Sequence, residues 1–449
     1  MDSYIHHIEW CVKDLEQTAA CLISKYGFSL ISERHLDSNH LQNTTKDNSF
    51  VSQKVVQSGA IYFLLTQNNS DHNINNKDVQ TNEFYPVLTC CSSKQEHRRN
   101  TVFNICLEVK NVEKATNRAL QNNINYDDES TIITPPTTIE YGKECRLQYS
   151  VIKSICGNII HTLINTKEYR RHSKDVPFLP GFNDVHQNGN KVKHLQSPNQ
   201  PLSHNITYPL TSFIDHVTYV CRMGESKLII NWYKHCFGME RFLIGSEEEI
   251  DDDGIEIGEE VGMRLTVGEW ISSWMCREEG VQFEPSPCRN QRLNFKLVLA
   301  EPLKGYRFSH VQQFIDEHGG PGIQHIGLTA EENITNVVQI MHQCGAEFRK
   351  PPPAYYTLDY KKEEILGANE NILQFERLGL LLDAEVDFCD DYNKIPKKKP
   401  KNILIQIFTK PLFDENTFFL EILERRGARG FGAGNITALA KSILLQQKQ

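Results

Sequence analysis

Short apolar runs alternate along this chain with segments of wider, helical spacing. Residues 4–11 (YIHHIEWC), 28–32 and 60–66 (AIYFLLT) read as strands, and residues 14–26 as a helix closing near Gly27. The order of strand, helix and strands starts again at residues 104–109 (NICLEV). Helix-like VEKATNRALQN follows, and residues 159–164 close that unit. A third start is residues 214–220 (IDHVTYV), with a helix over 228–236 and then Gly238. A fourth is residues 323–329 (IQHIGLT), with a helix over 334–344, Gly345, and last strands over 403–408 and 418–423. The pattern predicts an α+β fold built from four divergent copies of one strand–helix–strands unit. Two copies fill residues 1–180 and two fill 211–449.

Between the halves, residues 181–210 predict a polar linker, because 183–205 are rich in Asn, His, Gln and Ser and carry almost no aliphatic run. Residues 37–48 and 68–81, rich in Asn, Asp and Ser, predict loops. The acidic stretch 246–260 (SEEEIDDDGIEIGEE) predicts a solvated loop; it lacks the spaced ligands and turn of a calcium loop. The basic stretch 396–401 (PKKKPK) predicts a solvated turn rather than a nuclear signal.

Composition narrows the function classes. A chain of 449 residues with 39% apolar residues can bury two cores, and its net charge of -9 is no nucleic-acid footprint. Thirteen scattered Cys without a CxxC pair predict reduced thiols in an intracellular protein. No apolar run approaches the 18 or so residues of a spanning helix. The opening MDSYIHHIEW is short of Arg, unlike a cleaved organelle transit peptide.

The candidate chemistry comes from the repeat. FIDHVTYV and GIQHIGLT place His216 and His325 at matching strand positions. Either His alone is more often a core or hydrogen-bonded residue. Glu421 interrupts the apolar run FFLEILERR, and a buried carboxylate is costly unless paired or metal-bound. Together the three predict the two-His, one-carboxylate face of a non-haem iron site, with open positions for a chelating 2-oxo acid and O₂. In the first half, His7 matches His216, Asn104 takes the place of His325, and His161 roughly matches Glu421. A second metal site is therefore not expected there, and His6 and His7 read as packing residues.

Beyond periodicity, FIDHV at 213–217, GGPGIQHIGL at 319–328, LIQIFTKPLF at 404–413 and FFLEILERRGARGFGAGN at 418–435 are specific in order and context. On these stretches the chain resembles the 4-hydroxyphenylpyruvate dioxygenase family of the vicinal-oxygen-chelate superfamily, and within it the animal dioxygenase-like branch. VPFLPGF at 176–182 extends the resemblance weakly into the first half. The resemblance implies four βαβββ modules in two domains, with an open barrel around the metal in the C-terminal half. It implies Fe(II) on His216, His325 and Glu421, with 4-hydroxyphenylpyruvate and O₂ as co-substrates. Gln324 would belong to the polar surroundings of the metal and Gln406 to the substrate end. Phe408 and Phe431 would line the aromatic pocket, with Asn435 beside them. Residues 430–446 would form a lid helix that keeps water out.

The chain also departs from the family. Where homogentisate-forming members carry Asn, Ser and Phe it has Ala300, Leu265 and Ile436, and a family Gln aligns with His310. Ile436 is shared with the hydroxymandelate-forming branch. Removing a planar wall and two ring-orienting donors shifts the attacked atom from the ring to the benzylic carbon. The expectation is therefore 4-hydroxymandelate and CO₂ as products, feeding a quinone (coenzyme Q) ring precursor. The rivals are a homogentisate-forming dioxygenase, a non-catalytic protein of the same fold, and a metal-dependent lyase or isomerase. The family also implies a homodimer and, through the dioxygenase-like branch, a mitochondrial location, with the cytoplasm as alternative.

Overall fold

The computed structural model describes residues 5–37, 49–68, 99–121, 132–142, 145–171, 176–185, 209–244, 253–257, 261–269, 295–306, 309–385 and 402–447. They form two compact units. The described residues of the first belong to Met1–Leu210 and Trp232–Gly238; the second comprises Thr211–Asn231, Met239–Glu269 and Phe295–Gln449.

The first unit carries β1 (Ile5–Cys11), β2 (Ser29–Asp37), β3 (Ser49–Ser58), β4 (Ile61–Asn68), β5 (Thr101–Glu108), β6 (Ile132–Tyr141), β7 (Cys145–Lys153), β8 (Ile160–Asn165) and β9 (Asn183–Asp184). They form one sheet in the order β6-β7-β8-β5-β1-β4-β3-β2-β9. Each module's first strand is followed by a helix and lies parallel to its last strand: β1 beside β4, and β5 beside β8. The two first strands meet antiparallel at the centre. The helix Leu15–Tyr26 starts where Asp14 accepts the Gln17 backbone N–H at 2.8 Å, and it stops at Gly27 in the left-handed region.

The second unit repeats the plan with β10 (Thr211–Val220), β11 (Glu240–Phe242), β12 (Ile255–Ile257), β13 (Met263–Glu269), β14 (Lys296–Pro302), β15 (Gly322–Ala330), β16 (Leu381–Glu385), β17 (Asn402–Phe408) and β18 (Phe419–Arg426). Its order is β11-β13-β14-β10-β15-β18-β17-β16, with β12 paired to β13. Again the first strands, β10 and β15, are antiparallel neighbours, each parallel to its module's last strand. Four βαβββ modules are thus present, and the second sheet forms a half-barrel around the side chains of His216, His325 and Glu421.

Three expectations need correction. The stretch expected as a linker begins as a strand: β9 pairs with β2, and Ser32 donates to the Asp184 carboxylate at 2.8 Å. Residues 186–208 of it lie outside the described residues. The acidic stretch is not wholly loop, because Ile255 and Ile257 alternate around Glu256 and Ile257 is buried beside Met263 in β12. The expected lid helix over 430–446 begins later, as the helix Ala433–Gln447, since Gly432 holds a positive φ before it. The PKKKPK stretch lies outside the described residues. Among the described residues, no helix is long and apolar enough to cross a membrane.

Candidate metal centre

The centre forms where β10, β15 and β18 lie side by side in the second sheet. In register, His216 of β10 faces Gly327 of β15, and Gly327 in turn faces Glu421 of β18. Gly327 is required there. A Cβ at that position would sit 2.3 Å from Cε1 of His216, so only glycine lets the imidazole lie across the strand. Ligand-type atoms of His216, His325 and Glu421 all come within 4.8 Å of one another. Nε2 of His216 is 3.2 Å and Nε2 of His325 is 3.5 Å from the same Glu421 oxygen, with the two rings perpendicular at 5.5 Å.

The two imidazoles are oriented from behind. His216 donates through Nδ1 to Asp215 at 2.9 Å, and Asp215 is itself held by Arg425 at 2.7 and 2.8 Å. Arg425 also donates to the Gly430 carbonyl at 2.6 Å and lies over the Phe431 ring, tying this network to the loop before the helix Ala433–Gln447. His325 donates through Nδ1 to Gln324 at 3.3 Å. Both rings therefore present Nε2 forward, as metal ligands backed by a hydrogen-bonded partner do. Burial works against charge on His216, but Glu421 and Asp215 overcome it and raise its pKa. His325 is held well below the ordinary histidine range by burial, then by His216, His310 and Arg349. Burial opposes the Asp215 charge too, yet Arg425 prevails and lowers its pKa well below the usual carboxylate range.

Two nitrogen donors and one carboxylate, buried and braced in this way, fit a mononuclear Fe(II) ion. A further sign of a ligand lies nearby. Gln406 Oε1 and Asn435 Nδ2 are buried and have no hydrogen-bond partner among the described residues. Buried polar atoms are normally paired, so an acceptor and a donor left open mark places for a bound molecule. Asn435 is fixed from the other side, its Oδ1 accepting from Tyr355 at 2.7 Å and from the buried Lys361 at 3.2 Å. Gly432 lies against Gln406, where a Cβ would come within 2.5 Å of the amide.

The other expected pocket residues fall into two groups. Leu265 and Ala300 are cross-strand partners on β13 and β14, in one apolar cluster against which Phe431 and Ile436 pack. Phe431 stands edge-on to His216 at 5.3 Å. Phe408 pairs with Glu421 across β17 and β18, 6.5 Å from the His325 ring. His310 opens the helix His310–His318 capped by Ser309. Sequence reasoning passed over Asp215, Gln324's bond to His325, Arg425, Gly327, and Phe419, whose ring stacks on His325 at 4.7 Å. Asp215 was legible as the acid next to a ligand His in FIDHV; the others depend on register.

The first unit holds different residues in the same places. His7 faces Cys106 where His216 faces Gly327, and Asn104 faces Ile160 where His325 faces Phe419. Leu107 faces Leu163 as Leu328 faces Ile422, so the counterpart of Glu421 is Thr162. The expected match of His161 is off by one residue, which in a strand is the opposite face. His161 instead bonds Tyr233 at 2.7 Å and the Ile105 carbonyl at 3.2 Å, and burial lowers its pKa to about 4. Asn104 donates to Thr162 at 2.9 Å and to the buried Glu9 at 3.0 Å. Thr66 also donates to Glu9, and Gln53 bridges from Thr66 to Arg34. A second cluster of ligand-type atoms, His6, His7 and Cys106, contains no carboxylate, and its imidazoles bond each other through Nδ1 at 2.8 Å.

No protein-family model matches the chain. It is 32% identical over 349 residues to a 4-hydroxyphenylpyruvate dioxygenase-like protein of Rattus norvegicus, covering 77% of this chain and 78% of that one. It is 27% identical over 453 residues to the 4-hydroxyphenylpyruvate dioxygenase of Yarrowia lipolytica, covering 100% and 93%. Among solved structures, a triple mutant of 4-hydroxymandelate synthase from Streptomyces coelicolor aligns over 99% of both chains, with a TM-score of 0.64 and 19% identity. At that identity the likeness concerns the fold.

Proposed function

Because the chain belongs to the 4-hydroxyphenylpyruvate dioxygenase-like family, we propose that this Fe(II)-dependent dioxygenase converts 4-hydroxyphenylpyruvate and O₂ to 4-hydroxymandelate and CO₂. The observation that carries the reading is the convergence of His216, His325 and Glu421, with both Nε2 atoms turned toward one carboxylate oxygen. Iron held by His216, His325 and Glu421 would supply O₂ activation for the oxidative decarboxylation of a 2-oxo acid.

The chain's own residues do the rest. Asp215 and Gln324 keep the Nδ1 protons of the two ligand histidines in place, so that Nε2 stays free. Gln406 Oε1 and Asn435 Nδ2 are available to a polar group of the substrate. Phe431 and Ile436, backed by Leu265 and Ala300, offer the aromatic ring an apolar wall without a hydrogen-bonding anchor. A ring held by packing alone is free to bring its benzylic carbon, rather than a ring carbon, to the reacting position. The helix Ala433–Gln447 follows directly on Phe431 and shields the site from water.

Iron-loaded protein supplied with 4-hydroxyphenylpyruvate and O₂ tests this, with the isomeric products separated by chromatography. The expected product is 4-hydroxymandelate, and Ile436→Phe is expected to move the ratio toward homogentisate. Homogentisate from the unaltered protein, or an unchanged ratio in active Ile436→Phe, would refute the assignment. The same proposal places the product on a route to a quinone ring and the protein at the mitochondrion. Recovery of the protein wholly in the cytosolic fraction contradicts that location.

A further inference from the structure

We infer that Arg349 reads an anionic group of the bound substrate. This deepens the reading of the site as one for aromatic 2-oxo acids and rests on it.

The backbone fixes where Arg349 stands. Phe348 bridges to Thr409, and the Arg349 backbone N–H donates to the Phe408 carbonyl at 2.8 Å, so the residue lies alongside the end of β17 next to an aromatic residue of the site. Phe348 is buried, whereas Arg349 is accessible to solvent. Its guanidinium lies 5.0 Å over the Phe419 ring, and that ring stacks on the metal ligand His325 at 4.7 Å and 16°. One aromatic ring therefore connects the cation to the centre.

No carboxylate compensates this cation among the described residues. Arg425 pairs with Asp215, and Arg426 with Glu424 and Glu370. The Arg349 pKa is lowered by desolvation alone. An accessible guanidinium without a counter-charge is open to an anion, which it meets with charge-assisted hydrogen bonds. Stacking on an aromatic face leaves the N–H edge of the planar fork free, which is the edge that takes a carboxylate in bidentate fashion. The substrate class proposed for the site brings such a group. The anion is either the carboxylate that chelates the metal or a second acidic substituent at the far end of the ring.

The test measures dissociation constants on Fe(II)-loaded protein without oxygen, then KM and kcat with oxygen, for wild type, Arg349→Met and Arg349→Lys. The two ligands are 4-hydroxyphenylpyruvate and 4-carboxyphenylpyruvate. Losing a charge-assisted hydrogen bond is expected to weaken binding roughly 10- to 100-fold. KM should rise in parallel, kcat should stay nearly constant, and Arg349→Lys should recover part of the loss. Equal losses for both acids identify the chelating carboxylate as the group read. A loss confined to 4-carboxyphenylpyruvate identifies the ring end. Unchanged constants for both acids in folded Arg349→Met overturn the inference. Wild-type protein that binds neither acid overturns instead the 2-oxo acid reading on which it rests, and the two failures are told apart by that control.

Discussion

In the second unit the sheet centre places His216 against Gly327, His325 against Phe419, and Glu421 one strand away. In the first unit the same positions hold His7 against Cys106, Asn104 against Ile160, and Thr162. The strand order around each centre is the same. What differs is which side chains meet at the centre. In the first unit Asn104, Thr162, Glu9, Thr66 and Gln53 consume one another's hydrogen bonds. In the second unit two imidazoles turn Nε2 toward one carboxylate, with only an ion's worth of chemistry to satisfy all three. A fold that is duplicated need not duplicate its site; a few residues at register-equivalent positions decide between a closed polar network and an open coordination sphere.

The strongest contrast is expected from Glu421→Gln. Loss of the carboxylate ligand should weaken iron binding by more than the 10- to 100-fold typical of a lost supporting partner, and abolish substrate-dependent O₂ uptake. Thr162→Val, at the matching place, should leave iron content unchanged and cost about 1 kcal/mol in denaturant unfolding. Iron loss in Thr162→Val would break the comparison.

Next comes Gly327→Ala. The added Cβ meets the His216 ring, so iron affinity should fall roughly 10- to 100-fold while the far-UV spectrum is kept. Cys106→Ala, its counterpart, should not change iron affinity. Asp215→Asn is expected to act more mildly, about tenfold on iron affinity, because Gln324 and Glu421 still orient the centre while Arg425 loses its counter-charge.

A further contrast concerns the first unit alone. His161 is neutral in the fold with a pKa of about 4, against 6.5 for an ordinary histidine. The unfolded chain therefore binds more protons between those values, and stability must fall as pH falls. The stabilisation is complete above about pH 6.5, is about 2 kcal/mol lower at pH 5, and stops falling below about pH 4. Denaturant unfolding of iron-free Glu421→Gln protein reads this without interference from metal. His161→Gln should flatten the profile; an unchanged pH dependence in that variant contradicts the assignment.

The parts of this architecture legible in the sequence were those repeated in it. Four apolar openings announced the modules, and the matching of FIDHV with IQHIG placed His216 and His325 on equivalent strands. Glu421 stood out because a charge in an apolar strand demands a partner. The illegible parts depend on register or on distant pairing. Gly327 is one of 26 glycines until β10 lays His216 across it. Asp215 and Arg425 are 210 residues apart, and nothing in either segment names the other. The choice between His161 and Thr162 turns on a single residue, and only the pairing of β5 with β8 makes it. The strand at Ile255–Ile257 was hidden by the acidic residues around it.

The most direct test is an anaerobic Fe(II) binding titration on wild type, Glu421→Gln and Asn104→Ala. The account predicts one tight iron per chain in wild type and in Asn104→Ala, and none in Glu421→Gln. Two tight irons per wild-type chain, or one retained by Glu421→Gln, would contradict it.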